Sequence, residues 1–395
     1  MSHAISRRTA LLGLGTIAAG PGAALAVAPA PTERRFVVVI LRGAMDGLSA
    51  VVPYGDPGLM ALRPELVPPP PGQENGVLDL GGTFGLHPAM THVHTLYKAN
   101  ELLIVHAAAG HYRARSHFEA QDYLESGTDR RLTSGWLSRA TAAIPAHSRA
   151  IAIGDSVPLL LRGGQTPANW APHGFSEPQA ALYQAILSLH RDDPVTGPAL
   201  AAGLHDRGFG RQVLGDPGGD PGKASGRFTF AAMARAAGVM LRAPDGPRIA
   251  AMELGGWDTH TAQTNRIAGP LTQLDAGLDA LKTGLDAAWA QTVVLVMTEF
   301  GRTARMNGTK GTDHGTATAA FLAGGAVAGG RVVANWPGLG AGQLFEDRDL
   351  APTTDLRSVA KGILAAHLGL GSAALTAAFP GSESAQPMKG LVRAA

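Results

Sequence analysis

Apolar runs recur along the chain as RFVVVIL at 35–41, LLIVHA at 102–107, RAIAIG at 149–154, RIAAMEL at 248–254, TVVLVMT at 292–298 and TATAAFLAG at 316–324. Each is β-branched or continuously apolar, the pattern of a strand covered on both faces. Between the fourth and fifth runs, Leu271, Leu274, Leu278, Leu281 and Leu285 repeat at steps of three and four. That spacing predicts an amphipathic crossover helix starting just after Pro270, and strand, helix and strand then make one right-handed parallel unit. The alternation as a whole predicts an α/β fold built on a doubly wound, mostly parallel sheet.

Residues 164–247 break this rhythm. EPQAALYQAILSLHRD and RFTFAAMARAAGVMLRA have helical spacing and flank GDPGGDPGKASG at 215–226, whose Gly and Pro predict an exposed loop. The expected organisation is an α/β domain over 33–395 carrying a helical cap inserted at about 164–247.

The first residues read as an address. SRRTALLGLGTIAAG sets Arg7 and Arg8 before a short apolar stretch, and ALAVAPA supplies small residues at cleavage-type spacing. A retained anchor needs about 20 apolar residues, whereas this stretch is short, Gly-rich and interrupted by Pro21. Residues 1–28 are therefore expected to be a twin-arginine signal peptide, leaving a periplasmic or extracellular chain with no stable membrane span. Removal takes away Arg7 and Arg8 and no acid, so the formal charge falls from +2 to zero. A neutral chain offers no basic footprint for nucleic acid. The absence of cysteine excludes disulfides and thiolate metal sites, so any metal would be held by Asp, Glu, His or neutral oxygens.

In open parallel sheets the functional groups gather at the carboxyl ends of the strands. LRGAMDGLS follows the first predicted strand with Arg42 and Asp46, and HAAAGHYRARSHFEAQDYLESG follows the second with His106, His111, Arg113, Arg115, Ser116 and His117. GGWDTH follows the fourth with Asp258 and His260, TEFGRTAR ends the fifth with Glu299 and Arg302, and KGTDHG brings Asp313 and His314 just before the sixth. Asp258, His260, Glu299 and His314 are expected to face one cleft.

Plainer readings exist for each. Asp46, Asp258 and Asp313 could build turns, and His260 could be a surface residue. Arg302 could neutralise Glu299, and Ser116 with Glu119 fits an S-x-x-E capping box. Together the acids are harder to dismiss, because two carboxylates about 4 Å apart repel by roughly 4 kcal/mol at an effective dielectric near 20. A cluster of Asp46, Asp258, Glu299 and Asp313 would need protons, arginines or a cation. One divalent ion shared with His260 and His314 is an economical solution, and oxygen-plus-imidazole ligation suits Zn, Mn, Fe or Ni better than Ca or Mg. Ser116, at a helix start beside Arg113 and Arg115, could serve as a nucleophile toward an anionic substrate.

The leader, LRGAMDGLSAVVPYGD, RSHFEAQDYLESG, GGWDTH and VVLVMTEFGRTARMNGTKGTDHGTATAAFLAGGAV resemble, across nearly the whole chain, the exported bacterial family called domain of unknown function 1501. That family is similar to a distant branch of the alkaline phosphatase and sulfatase superfamily. The resemblance implies a doubly wound sheet with a bimetallic site and a nucleophile at a helix start. It places Asp258 and His260 on one metal, His314 at a late-histidine position and Ser116 at the reactive place, with His117 as the alternative register. It also shows departures: Phe300 stands within an expected Asp-His-Gly, and Arg42 stands where an Asp before Gly belongs. One divalent metal, Zn or Mn, or none is therefore expected rather than two.

Two functions follow from these expectations. The first is an exported, metal-assisted hydrolase of an anionic small-molecule or polymer ester, phosphate or sulfate. In it Ser116 or His117 acts at the reactive place, Arg42 and Arg115 bind the anion, and Asp258, His260 and His314 hold the metal with Asp46, Glu299 and Asp313 as further candidates. The second is a non-catalytic envelope protein that kept the fold and binds an anionic ligand or a protein partner. The leader can be tested directly: replacing Arg7 and Arg8 by Lys should leave precursor in the cytoplasm on fractionation, and undiminished export would refute the twin-arginine route.

Overall fold

Strand β1 (Arg35–Leu41) is buried along its whole length, and its residues divide between two cores. Val37, Val39 and Leu41 enter one and Phe36, Val38 and Ile40 the other, as the two-residue period of a strand requires. The computed structural model describes residues 33–144, 150–164, 167–171, 186, 188–190, 193–194, 196–214 and 229–393. The predicted leader at 1–28 and the GDPGGDPGKASG segment lie outside these residues, as does most of EPQAALYQAILSLHRD.

Three short strands, β2 (Val51–Val52), β3 (Leu78–Asp79) and β4 (Gly85–Leu86), form a small antiparallel sheet. The main sheet contains β1, β5 (Leu102–Ala109), β6 (Ala150–Ile153), β7 (Ala168–Trp170), β8 (Ile249–Leu254), β9 (Thr292–Thr298), β10 (Thr318–Ala323), β11 (Arg331–Val333) and β12 (Thr354–Asp355). Its order is β11-β5-β10-β9-β1-β8-β6-β7, with β12 also on β5. Every neighbouring pair is parallel except those made by β10, which runs antiparallel to both β9 and β5. The residues that lead into β10 therefore reach the same edge as those that leave β1, β5, β8 and β9.

Helices cover both faces. Toward Val37 and Val39 lie α2 (Thr91–Lys98), α6 (Phe230–Arg242) and α7 (Gln263–Leu285), following α1 (Gly47–Ala50) in the chain. Toward Phe36 and Val38 lie α3 (His117–Ser126), α4 (Trp136–Thr141), α8 (Leu356–Ala366) and α9 (Ser372–Ala378). This is a doubly wound α/β architecture. Of the segment expected to form a cap, α5 (Thr196–Leu214) is described, and α6 is part of the layer on the sheet, with Phe230, Ala234, Ala237, Met240 and Leu241 in the core. No helix among the described residues is long and apolar enough to cross a membrane.

The crossover helix departs from its expected start, because α7 begins at Gln263 and carries Pro270 inside it. An internal proline removes a helical bond and costs about 3 kcal/mol in an isolated helix. Tertiary polar bonds hold the first turn instead. Gln263 Nε2 donates to Asp46 Oδ2 at 2.5 Å and Ser49 Oγ at 3.0 Å, and its Oε1 accepts from Thr259 at 2.8 Å and Thr312 at 2.6 Å.

Two histidines are buried in neutral form. His106, within β5, donates from Nε2 to the Val51 carbonyl at 2.9 Å, and its Nδ1 accepts the Ala107 amide at 2.8 Å. His367 bonds the Arg35 carbonyl through Nε2 at 2.9 Å. Burial pushes both down to about 4, against about 6.5 in an unfolded chain. The folded state thus binds fewer protons than the unfolded state between those values, and stability is full above pH 6.5 and declines as the pH falls toward 4. Each should cost roughly 2 kcal/mol between pH 7 and pH 5. Calorimetry should show the Tm falling over that window, less steeply in His106→Gln; a flat Tm would contradict the assignment.

Candidate metal centre

The loop after β8 is pinned before its polar residues emerge. Trp257 is buried and donates from Nε1 to the Leu254 carbonyl at 3.0 Å, and Thr259 turns inward to Gln263. Alternation then puts Asp258 and His260 together on the opposite, solvent-facing side. Gly43 (φ 118) lets the exit of β1 press against this loop, since a Cβ there would lie 2.9 Å from the Asp258 amide nitrogen. Gly311 does the same from the 307–314 loop, where a Cβ would fall 2.1 Å from the His260 carbonyl. His314 arrives on the approach to β10, bridged to Arg302, and His117 is the first residue of α3.

Three donor atoms from these segments converge, those of His117, Asp258 and His314, and a fourth, His260 Nε2, adjoins two of them. His117 Nε2 lies 2.9 Å from His314 Nε2, and His260 Nε2 lies 3.0 Å from the same atom. Asp258 Oδ1 is 3.0 Å from His260 Nε2, 3.3 Å from His314 Nε2 and 3.7 Å from His117 Nε2. A tetrahedral ion with ligand bonds of about 2.0–2.1 Å spaces its donors about 3.3–3.4 Å apart. The separations among His117, Asp258 and His314 bracket that value, while His260 approaches only Asp258 and His314. Asp258 and His260 side chains are 46% and 41% exposed, so the cluster opens to solvent on their side.

The other ring nitrogens are already committed. His117 Nδ1 donates to Glu299 Oε1 at 2.7 Å, and His314 Nδ1 donates to the Arg115 carbonyl at 3.0 Å. His260 Nδ1 lies 3.4 Å from Asp313 Oδ1. Carbonyls and ionised carboxylates only accept, so each neutral ring of His117 and His314 turns a bare Nε2 inward. Lone pairs that close repel unless a proton or a cation lies between them.

The hydrogen bond to Glu299 raises the His117 pKa above its ordinary value, while burial and the neighbouring His117 charge lower that of His314. Burial pushes the Asp258 carboxyl up, but the hydrogen bond and charge of Arg302, 2.5 Å away, outweigh it and leave the group more acidic than usual. Burial likewise opposes ionisation of Glu299, and bonds from His117, Gln121 and Thr298 overcome it. Asn307, followed by His260, holds Asp313 low. Of the three carboxylates, Asp258 is paired with Arg302, whereas Glu299 and Asp313 meet the imidazoles of His117 and His260. Two imidazole nitrogens and a carboxylate oxygen converging on one point form a donor set that fits a divalent cation.

The remaining candidates lie elsewhere. Asp46 is not among the converging donors: it is 1% exposed, ion-paired to Arg63 at 2.6 Å, and bonded by Ser49 and Gln263. Arg42 does not face the cluster as an anion clamp; it pairs with Glu125 at 2.7 Å and with Glu253. Arg115 is similarly held, by Glu346 at 2.5 Å and Asp349 at 2.9 Å. Glu299 and Asp313 stand behind His117 and His260 rather than among the converging atoms, and Arg302 pairs with Asp258, not Glu299. Ser116 occupies the N-cap position of α3 without a capping bond, and Glu119 bonds the Tyr112 hydroxyl, so the capping box does not form. His117, expected at the reactive place, joins the donor cluster, with Phe300 tilted against its ring at 4.9 Å. The sequence signal for that role was its position one residue beyond Ser116 in RSHFEAQ.

This geometry defines an α/β protein with a candidate single-ion centre at the carboxyl edge of its sheet. Residues 112–379 match the family described as "Protein of unknown function (DUF1501)", and the chain belongs to that family. No curated protein sequence matches it. Among solved structures, the C-terminal periplasmic domain of EcEptC from Escherichia coli, in complex with Zn, aligns over 74% of this chain and 73% of its own, at 9% identity and a TM-score of 0.38. The phosphonate monoester hydrolase of Agrobacterium radiobacter aligns over 76% of this chain and 70% of its own, at 10% identity and a TM-score of 0.34.

The carboxylate behind His117 provides a test. Groups that orient a ligating imidazole typically contribute 10–100-fold in metal affinity. Glu299→Gln should therefore weaken Zn binding by about that factor in a competition titration, and an unchanged dissociation constant would remove His117 from the ligand set.

Proposed function

We propose that this chain is an exported, metal-assisted hydrolase of phosphate or sulfate esters that works with one divalent ion, Zn or Mn. The observation that carries the reading is the meeting of the His117 and His314 Nε2 atoms with Asp258 Oδ1 on a solvent-open edge, with His260 Nε2 beside the last two. His117, Asp258 and His314 would hold the ion, and His260, adjoining the last two, is the candidate for a fourth ligand. When bound, it would supply Lewis-acid polarisation of a phosphoryl or sulfuryl oxygen.

The protein's own groups have distinct parts. Glu299, Asp313 and the Arg115 carbonyl keep protons on the three Nδ1 atoms and so keep the Nε2 atoms available. Arg302, buried behind Asp258, holds that carboxylate ionised and aimed. Ser116 precedes His117 directly, and its side chain makes no capping bond to the helix. It stands where the first amides of α3 favour an anion, in position to attack an ester or to orient water. The predicted twin-arginine leader and the resemblance to the alkaline phosphatase and sulfatase superfamily support the exported location and the ester class.

One observation favours the second reading, a non-catalytic envelope protein that binds an anionic ligand or partner. Arg42 and Arg115 are each neutralised by two carboxylates, which takes both out of the role of anion clamp. Elemental analysis and a screen of aryl phosphate, phosphodiester and sulfate esters separate the two. The hydrolase should carry one metal per chain; His260→Ala should lose both metal and turnover, whereas Ser116→Ala should lose turnover and keep the metal. Wild-type protein that binds Zn but cleaves none of these esters would transfer the site to the binding reading, and protein that stays metal-free in Zn and Mn would overturn the centre itself.

A further inference from the structure

Two of the three histidine Nδ1 atoms meet side-chain carboxylates, but His314 Nδ1 meets a main-chain oxygen, the Arg115 carbonyl. That oxygen is aimed by backbone with φ 61, a left-handed conformation that a non-glycine residue adopts only when its surroundings impose it. The surroundings here are carboxylates. Asp349, with no exposed surface, accepts from Arg115 Nε at 3.0 Å and Nη2 at 2.9 Å, and Glu346 accepts from Nη2 at 2.5 Å.

Asp349 also reaches the other partner of this bond. Its Oδ2 accepts the Thr316 hydroxyl at 2.8 Å, two residues beyond His314 on the approach to β10. One buried carboxylate thereby grips the segment that bears the acceptor and the segment that bears the imidazole. Its own loop is braced by paired main-chain bonds between Phe345 and Asp349, at 2.8 and 3.0 Å, and by a bridge to Thr303. Glu346 contributes differently: it is 56% exposed, where solvent screens an ion pair to little net effect.

We infer that Asp349 is a positioning residue of the candidate metal centre, fixing the Arg115 carbonyl so that His314 keeps its proton on Nδ1 and its lone pair on Nε2. This rests on the single-ion reading above. Loss of Asp349 would leave the donor atoms present and the His314 tautomer unset, which lowers affinity for the ion without removing a ligand.

The test is Zn binding by full-length mature protein, measured against a chromophoric chelator, with the Tm of the metal-free form recorded beside it. Asp349→Asn should weaken Zn binding at least tenfold, in line with groups that orient ligating histidines, while Glu346→Gln should stay within about twofold. Nitrogen-15 spectra of the metal-free protein should show His314 as the Nδ1–H tautomer in wild type and as a mixture in Asp349→Asn. A folded Asp349→Asn variant with wild-type affinity overturns the inference. If that variant fails to fold, Arg115→Gln decides, since it leaves Asp349 its bonds to Thr316 and Arg348: a tenfold loss supports the role and an unchanged constant overturns it. Wild-type protein that takes up no Zn overturns the single-ion reading, a result distinguishable from every variant outcome.

Discussion

His117 Nε2 and His314 Nε2 face each other at 2.9 Å, and the far nitrogen of each ring is already bonded to an acceptor. In that arrangement neither ring can rotate or change tautomer to relieve the lone-pair contact without losing a bond to Glu299 or to the Arg115 carbonyl. The site is consequently organised around an electron-rich point that only a proton or a cation can satisfy. Asp258, held by Arg302, brings a carboxylate oxygen to the same point. The start of α3, the loop after β8 and the approach to β10 are the segments that bring these atoms together.

Strand direction makes the meeting geometrically available. In a uniformly parallel sheet, residues preceding a strand would lie at the opposite edge from residues following one. Because β10 is reversed, His314 comes to the edge where Asp258 and His260 leave β8 and Glu299 leaves β9. Behind that edge a buried polar chain runs from Arg63 through Asp46 and Gln263 to Thr312 and Arg302. Each member is bonded, as buried polar groups must be, and the chain ends on Asp258.

The same geometry bears on chemistry. A mixed imidazole and carboxylate donor set favours a borderline metal over a hard one, and the exposed side of Asp258 and His260 leaves approach for an ester. The neutralised arginines are the counterweight. With Arg42 between Glu125 and Glu253, its charge is absorbed by the fold rather than projected at a substrate. Ion, helix start and Ser116 are therefore the groups on which anion recognition would rest.

The central strands and their two-sided burial were legible in the chain, because continuous β-branched runs and three-and-four leucine spacing report burial locally. So was the gathering of Asp258, His260, Glu299 and His314 near one sheet edge, since each borders a strand. The division of labour among them was not. Glu299 and Asp313 stand one layer behind the imidazoles, Asp46 belongs to Arg63, and His117 stands among the inward-facing atoms, choices made by contacts between residues as far as 197 positions apart. The start of α7 at Gln263 rather than after Pro270 was equally hidden, because bonds to Asp46 and Ser49 across the fold outweigh the local proline signal. Periodicity is a property of neighbouring residues and survives in one dimension. Which nitrogen is bare and which carboxylate is free depends on ångström-scale distances between loops that only the folded sheet brings together.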